Sequence, residues 1–383
     1  MCRQEKGLKK GSDARLATGH FARVICLALL LASMLLAGCA PAAALQTEQA
    51  PAAQPVAAGE PATLRVMTHD SFAISEEKLA LFEQAYNVKV QFIKSGDTGA
   101  ALNKAILSKG KPLADVFYGV DNTFLSRALQ EEIFEAYASP RLAQVPDAFK
   151  LDPTNGALPV DYGDVCLNYD RAYFDAHGLQ PPQSLQDLLK PEYKGLLVVQ
   201  NPATSSPGLA FLLATIGNFG SQGYLDYWKQ LVANDVLVVN DWESAYYTEF
   251  SGSSGKGPRP LVVSYNSSPV FEMLYAETKP AEPPTAAVTA DLTCFRQIEF
   301  AGILKGTQQR ALAEKWIDFM LETEFQQDLP AQMFVFPVNV HARLDPDFEK
   351  FLVVPAKTAV VSPEEIAANR EQWLKDWTEA VLR

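Results

Sequence analysis

Short apolar runs alternate with amphipathic segments from residue 63 onward. In chain order the first series predicts strand 63–69, helix 75–86 with Ser75 as its N-cap, strand 88–93, helix 99–110, strand 114–120 and helix 123–132. The second series begins at 163–174 and predicts helix 184–190, strand 195–201, helix 208–220, a segment over 224–234, and strands 236–240 and 260–266. Strands and helices that alternate in this way predict an α/β fold built on parallel sheets.

The end of the chain predicts a return to the first series. A proline-rich break over 277–287 precedes a strand over 294–307, and helical spacing follows over 308–329. The alternating region exceeds the roughly 250–300 residues that one core usually supports, so we expect two lobes. The predicted division is 63–162 for lobe 1, 163–292 for lobe 2, and 293–383 for the return to lobe 1 with C-terminal helices.

The N-terminus has the pattern of an export signal. A basic stretch is followed by the apolar run "VICLALLLASMLLAG", which ends at Cys39 and is shorter than the roughly 20 residues of a membrane span. Leu36-Ala37-Gly38-Cys39 resembles a bacterial lipobox, which implies that the signal peptide 1–38 is removed and Cys39 is lipidated. Residues 39–62 are rich in Ala and Pro and predict a disordered tether. We therefore expect an extracytoplasmic protein that is held at a membrane by lipid alone.

The composition narrows the class of ligand. The 383-residue chain has a net charge of −12 at pH 7 and loses basic residues with the signal, which argues against nucleic acid or anionic lipid as a partner. After Cys2, Cys26 and Cys39, two cysteines remain, Cys166 and Cys294. An oxidising compartment favours a disulfide between them, while two separate buried thiols are the alternative.

Motifs for catalysis are scarce. Only His69, His177 and His341 follow the signal, and neither HExxH nor GxSxG occurs in the sequence. We therefore predict a protein that is not an enzyme and that has no metal or cofactor. An exported hydrolase is the alternative from a different class.

Polar residues that follow predicted strands are the candidate binding residues, because ligands gather beyond the carboxyl ends of strands in α/β sheets. They include His69, Asp97, Thr98, Asp121, Ser205, Ser206, Trp242, Tyr265, Asn266, Ser267 and Ser268. Trp242 suits stacking on a flat or cationic ring, although a partly exposed surface tryptophan is an equal alternative. Tyr246 and Tyr247 raise the possibility of ferric iron, although their helical context favours packing.

Two helices are predicted to begin with Ser-Ser-Pro. In both "NPATSSPG" (201–208) and "SYNSSPV" (264–270), the second serine suits the N-cap and the proline suits the first helical position. The predicted caps are Ser206 and Ser268, followed by Pro207 and Pro269. Capping alone explains either motif, but two such starts after strands favour a shared polar wall around a cleft.

Several motifs together resemble the thiamine-binding proteins of bacterial ABC importers. They are "MTHDSFA", "GDTGAALNKA", "ADVFYGVDNTFLSRAL", "VDYGDVCLNYD", "PATSSPGLAFLL", "WESAY", "SYNSSPV" and "FPVNV". The resemblance covers nearly the whole chain after the tether and implies a two-lobed type II periplasmic-binding-protein fold with thiamine between the lobes. His69 stands where the family pattern has tyrosine, and Phe334 stands where it has tryptophan.

The resemblance also implies roles for individual residues. Asp97 and Thr98 would contact the ligand from lobe 1, Ser205 and Ser206 would lie at a helix start, and Trp242 would stack on the rings. The segment from Tyr265 to Pro269 would form the opposite edge. The free N–H groups of the serine helix starts would also accept a phosphate, so thiamine phosphates remain candidate ligands.

The predicted protein is a receptor that closes over thiamine and delivers it to an ABC permease and its ATPase. We expect it to be a monomer. Receptors of the same fold for ferric iron, with Tyr246, Tyr247 and Tyr265 as ligands, or for a polyamine are the alternatives.

Overall fold

A computed structural model describes residues 60–252 and 255–383 of the chain. These residues belong to one compact unit, Gly59–Arg383. The predicted signal peptide 1–38, the lipidation site Cys39 and nearly all of the tether 39–62 lie outside the described residues. Within the described part of the chain, every helix is too short or too polar to cross a membrane.

The described residues form eleven strands and ten α-helices. The strands are β1 (Ala62–Thr68), β2 (Val88–Lys94), β3 (Val116–Asp121), β4 (Phe134–Glu135), β5 (Leu158–Asp170), β6 (Leu197–Gln200), β7 (Leu237–Val239), β8 (Leu261–Tyr265), β9 (Thr285–Val288), β10 (Phe295–Leu304) and β11 (Phe336–Pro337). The helices are α1 (Glu76–Tyr86), α2 (Thr98–Leu107), α3 (Leu125–Gln130), α4 (Arg171–His177), α5 (Ser206–Ala233), α6 (Ser268–Leu274), α7 (Arg310–Met320), α8 (Thr323–Met333), α9 (Pro346–Phe351) and α10 (Pro363–Val381).

One mixed sheet organises the unit, with the strand order β2-β1-β3-β10-β5-β8-β6-β7. Strands β2, β1 and β3 are parallel at one end, and β8, β6 and β7 are parallel at the other. The long strands β10 and β5 lie between these two groups and pair antiparallel with each other. Strand β10 also pairs with β3, which places it beside the first series of strands, as expected for a return to that series.

Several element boundaries differ from the sequence-based predictions. Strand β5 begins at Leu158, upstream of the predicted start. The buried Asp161 interrupts the apolar run in this part of the sequence, so the run is not recognisable as a strand. The helix predicted over 208–220 ends at Gly220, whose non-helical φ of 74° kinks α5, and the segment 224–234 forms most of the part of α5 beyond that kink. The segment predicted as helix 184–190 forms only a short 3₁₀ turn, Gln186–Leu189, and β9 reaches into the proline-rich break.

A disulfide joins Cys166 and Cys294, whose Cα atoms lie 4.4 Å apart. Val165 of β5 pairs with Phe295 of β10, so the adjacent cysteines face each other across these two strands. The predicted disulfide is therefore confirmed, and the alternative of two separate thiols is wrong.

Helix α10 connects distant parts of the sequence. It packs against α5, where Trp377 meets Trp228 edge-to-face with ring centroids 5.4 Å apart, and it also contacts α3. Both indoles are fully buried. The C-terminal helix thus contacts elements from both predicted lobes.

Candidate ligand-binding site

Two adjoining pockets lie beyond the strand ends. The inner pocket, about 40 Å³, is lined by His69, Ser71, Asp97, Thr98, Ser206, Pro207, Trp242, Tyr265, Gln297, Glu299, Met333 and Val335. The outer pocket, about 330 Å³, is lined by Asp70, Ser71, Asp97, Asp241, Trp242, Glu243, Ser244, Tyr247 and Thr248. Sites for small molecules usually measure roughly 300–1,000 Å³, so a ligand of that size needs both pockets or an opening of the inner one.

The structure brings together about half of the predicted binding residues. Those that line the inner pocket are His69, Asp97, Thr98, Ser206, Trp242 and Tyr265. Asp121 and Ser205 lie outside the lining but are hydrogen-bonded to residues that line it. Asp121 bonds to Ser206, and Ser205 bonds to Asp97. Residues outside both linings are Asn266, Ser267, Ser268, Pro269 and Phe334. Contact with a ligand stays a prediction for all of these residues.

The predicted helix caps are wrong by one residue. Ser205, and not Ser206, is the N-cap of α5, where its Oγ accepts a hydrogen bond from the amide of Gly208 at 3.5 Å. The hydroxyl of Ser206 instead donates a hydrogen bond to the carboxylate of Asp121. Ser267 precedes α6 in the place predicted for Ser268, and its hydroxyl donates to the carbonyl of Phe334 rather than capping the helix.

Phe334 is part of a small apolar cluster. It adopts a left-handed conformation at the end of α8, with a φ of 61°, and stacks on Phe271 with ring centroids 4.8 Å apart. Its neighbours Met333 and Val335 point to the inner pocket instead.

Asp97 is the half-buried carboxylate that links the two predicted lobes. It is the N-cap of α2, where its Oδ1 accepts from the amide of Thr98 at 2.7 Å, and its Oδ2 accepts from the amide of Trp242 at 3.2 Å. Burial raises the pKa of Asp97 to about 6, although hydrogen bonds from Ser205 and these amides oppose the rise. Above that pH the inner pocket holds a negative charge from this group.

Asp121 is a second carboxylate beside the inner pocket. It ends β3, accepts hydrogen bonds from Thr123 and Ser206, and is fully buried. Burial raises the pKa of Asp121 to about 6 as well.

Sequence reasoning missed a third acidic group, which contains Glu299 of β10 and Asp161 of β5. The hydroxyl of Tyr118 lies 2.7 Å from Oδ2 of Asp161 and 3.1 Å from Oε2 of Glu299. Because a hydroxyl carries one proton, one of these contacts requires a protonated carboxyl. Burial, with the nearby charge of Asp161, raises the pKa of Glu299 well above its usual range. No local motif marks this group, because the three residues come from three separate strands.

His69 stands beside Glu299 as a neutral ring. Its Nε2 lies 3.5 Å from Oε1 of Glu299, and burial lowers the pKa of His69 to about 4, so the contact is not an ion pair near neutral pH. Within the described residues this Nε2 has no hydrogen-bond partner. A buried ring nitrogen that lines a pocket without a partner is available to a ligand.

Two aromatic side chains form apolar walls of the inner pocket. Trp242 is 9% exposed, stacks on Tyr246 with centroids 4.8 Å apart, and donates from Nε1 to Ser264 at 3.0 Å. Tyr265 donates to Gln297 at 3.2 Å. Its ring fits because Gly163 of β5 lacks a side chain: a Cβ there would lie 2.8 Å from the tyrosine ring. The alternative of a partly exposed surface tryptophan is wrong, because the indole of Trp242 is buried while still lining the pocket.

Direct contacts join the predicted lobes across the cleft. The amide of Gly99 at the start of α2 donates to the carbonyl of Thr204 just before α5, at 2.9 Å. The bond between Asp97 and Trp242 and the bond between Asp121 and Ser206 also cross it. The cleft is therefore closed in this structure.

Comparison with known proteins gives the family. Residues 111–366 match the model of the bacterial extracellular solute-binding proteins. The chain belongs to this family. As a solute-binding protein it is a receptor that acts outside the cytoplasm, and not an enzyme, so the hydrolase alternative is wrong.

Named relatives narrow the comparison. A thiamine-binding periplasmic protein of Salmonella typhimurium is 31% identical over 84% of this chain and 94% of its own length, and one of Escherichia coli is 30% identical over the same shares. A solved periplasmic thiamin-binding protein is 29% identical, with a TM-score of 0.72 over 84% of this chain and 97% of its own. The resemblance to thiamine-binding proteins and the predicted two-lobed type II periplasmic-binding-protein fold are confirmed.

More distant structures share the fold alone. Iron-bound HitA from Pseudomonas aeruginosa is 18% identical, with a TM-score of 0.66 over 83% of this chain and 99% of its own. The fold therefore carries ligands of different chemistry.

Proposed function

We propose that this solute-binding protein binds thiamine between its lobes and delivers it to an ABC permease with its ATPase. The observation that carries the proposal is the inner pocket, where the buried rings of Trp242 and Tyr265 stand beside the half-buried carboxylate of Asp97. Thiamine has flat aromatic rings and a permanent positive charge on one of them. The names of the most similar relatives support the same ligand.

Each group of the pocket has a physical role in this proposal. Stacking on Trp242 and Tyr265 removes ring surface from water, and a cation over an aromatic face gains roughly 0.5–2 kcal/mol. Asp97 and Asp121 offset the ring charge in surroundings where water screens little. The free ring nitrogen of His69 adds a polar contact at the position where relatives are expected to have tyrosine.

Closure of the cleft couples binding to delivery. A ligand that touches both lobes favours the closed state by the free energy of its additional contacts. The bond from Gly99 to Thr204 and the bond from Trp242 to Asp97 join the two lobes in this structure, so opening the cleft would break both. We infer that a lipid on Cys39 keeps this receptor, as a monomer, close to the permease in the cell membrane.

Thiamine phosphates are also candidate ligands. A phosphate at the start of α5 would share that helix end with Asp97 and Asp121, which already bond to Ser205 and Ser206 there. If the start of α5 binds a further anion, the phosphates should bind more tightly than thiamine. If the nearby carboxylates repel it, thiamine should bind more tightly.

The three tyrosines considered for ferric iron do not line one common pocket, although the rings of Tyr246 and Tyr247 lie 5.5 Å apart. Tyr265 lines the inner pocket, Tyr247 lines the outer pocket, and Tyr246 is fully buried beneath Trp242. Burial raises the pKa of Tyr247 to about 12 and those of Tyr246 and Tyr265 well above their usual range, which opposes tyrosinate ligands. A polyamine would pair with the carboxylates, but it has no aromatic ring to stack on Trp242 and Tyr265.

The test is a titration of the purified protein with thiamine and its mono- and diphosphates, followed by tryptophan fluorescence and calorimetry. We expect saturable binding that Trp242→Ala weakens by at least about tenfold, because a desolvated cation–aromatic contact contributes up to roughly 2 kcal/mol. Tyr275→Ala, at an aromatic that is 57% exposed and outside both pockets, is the matched control. No binding of any thiamine form, together with a tyrosinate charge-transfer band on adding ferric iron, would favour the iron receptor instead.

A further inference from the structure

A further pocket, lined mainly by basic side chains where the inner pocket is acidic, lies beside α2 and the residues that precede α5. This pocket, of about 360 Å³, is called here the Arg370 pocket and lies among α2, α3, α10 and the residue Ala203. Its lining includes four basic side chains, Arg127, Arg370, Lys375 and Arg383, against the two acidic residues Glu371 and Glu379. It shares no lining residue with the inner or outer pocket.

Arg370 is the unusual member of this pocket, because it is 4% exposed and its charge is poorly compensated. Among the described residues, its Nε and Nη1 atoms have no hydrogen-bond partner. Only Nη2 is paired, at 2.5 Å from Oε1 of Glu371, and the side chain of Glu371 is 75% exposed. A pair with one partner so exposed is screened by water and offsets little of the cost of burying a guanidinium.

The remaining surroundings of Arg370 do not supply the missing acceptor. Its guanidinium carbon lies 5.3 Å from the centre of the Phe124 ring, which covers one face of the group but accepts no hydrogen bond in its plane. Burial lowers the pKa of Arg370, the negative charges of Glu371 and Asp121 oppose this shift, and the positive charge of Arg127 adds to it. Two guanidiniums that face one pocket repel each other unless an anion lies between them.

Other cations of the pocket are also available. Within the described part of the chain, no ion pair joins Arg127 or Lys375 to a carboxylate. Arg383 lies 3.7 Å from Glu379, but both side chains are substantially exposed. Guanidinium groups present parallel N–H donors that match two oxygens of a phosphate, which lysine ammonium groups do not.

We propose that the Arg370 pocket binds a small tetrahedral oxyanion such as phosphate, held by Arg127 with Lys375 at the rim and stabilised by the poorly compensated charge of Arg370. Such an anion connects α3 with α10, which also packs on α5. The inference does not depend on which ligand occupies the inner pocket.

The test is a calorimetric titration of the purified protein with inorganic phosphate, without thiamine, in a phosphate-free buffer whose ionic strength is held constant with chloride. A parallel titration with sulfate separates recognition of a tetrahedral oxyanion from recognition of phosphate alone. We expect saturable binding that Arg127→Gln and Lys375→Gln each weaken, the first by at least about tenfold, because it removes charge-assisted hydrogen bonds.

Lys315→Gln is the matched control, because Lys315 is an exposed lysine on α7 and the substitution removes the same charge outside the pocket. Arg370→Gln is informative only if its circular dichroism and melting temperature show a folded protein, so the conclusion rests on Arg127 and Lys375. Absence of saturable phosphate binding would overturn the proposal. The proposal would also be overturned if Arg127→Gln and Lys375→Gln bound phosphate as tightly as the control Lys315→Gln.

Discussion

At the scale of residues, the charge of the inner pocket is set by the half-buried Asp97 and the buried Asp121, and protonation of these carboxylates weakens the attraction for a cationic ligand. The pKa values of Asp97 and Asp121 are raised to about 6 chiefly by burial, so both groups are ionised at neutral pH and become protonated as the pH falls to 5. His69 behaves differently, because burial lowers its pKa to about 4 and keeps it neutral over the same range. The charge of the inner pocket therefore changes mainly through the two aspartates.

We predict that affinity for thiamine falls between pH 7 and pH 5, by up to about tenfold per pH unit for each group below its pKa. The stability of the ligand-free protein changes with the opposite sign. The folded-state pKa of Asp97 lies above its usual value, so between about pH 4 and 6 the folded state binds more protons than the unfolded state, and this contribution to stability rises as the pH falls.

The measurement is calorimetric affinity and melting temperature across this range for the wild type and Asp97→Asn. The variant should show weaker binding at pH 7 and a shallower dependence on pH in both measurements. Asp226→Asn, at a side chain that is 76% exposed, controls for removal of one charge. An unchanged slope in Asp97→Asn would mean that this carboxylate does not carry the pH dependence.

At the scale of elements, the starts of α2 and α5 meet across the cleft because Gly99 has no side chain. A Cβ at this position would lie 2.5 Å from the carbonyl oxygen of Ala203 and 3.0 Å from the backbone of Thr204. These are backbone atoms, which cannot rotate away as the end of a flexible side chain can. Gly99 therefore sets how closely the two helix starts approach in the closed state.

We predict that Gly99→Ala weakens thiamine binding by roughly 1–3 kcal/mol, the usual cost of overpacking, with little loss of stability in the ligand-free protein. The cost falls on closure because the clash exists only when the helix starts meet. Calorimetry and urea unfolding are the measurements. Gly223→Ala on α5, where the new Cβ lies at an ordinary 3.4 Å from Phe219, is the control, and equal affinities for the two variants would contradict the role of Gly99.

At the scale of the whole molecule, the disulfide ties together the two long central strands. Cys166 of β5 and Cys294, just before β10, are separated by 128 residues, a segment that contains nearly all of predicted lobe 2. Closing so long a loop restricts the unfolded chain considerably. The bond therefore stabilises the connection between the lobes without lying in either pocket.

We predict that Cys166→Ala/Cys294→Ala lowers the free energy of unfolding by about 2–4 kcal/mol, the usual range for a native disulfide. Affinity for thiamine should change little, because neither cysteine lines a pocket. Urea unfolding with calorimetry on the same samples measures both quantities. A reducing agent should reproduce the loss in the wild type and leave the variant unchanged; equal stability of the two proteins under oxidising conditions would contradict this prediction.

The sequence by itself determined much of the plan of this protein. Alternation of apolar and amphipathic segments predicted most strands and helices, because that periodicity is local. The position of polar residues after strands then brought His69, Asp97, Thr98, Trp242 and Tyr265 to one site, because ligands in α/β sheets lie beyond strand ends. Two cysteines in an exported chain predicted the disulfide.

Only the tertiary structure decided which groups share a buried environment. Glu299, Asp161 and Tyr118 meet because β10 and β5 run side by side at the centre of the sheet, and no spacing along the chain encodes that contact. Arg370 and Arg127 likewise meet only when α10 packs on α3. Burial of charge depends on neighbours that are distant in sequence, which is why the pocket of opposite charge and the missed acidic group required the fold.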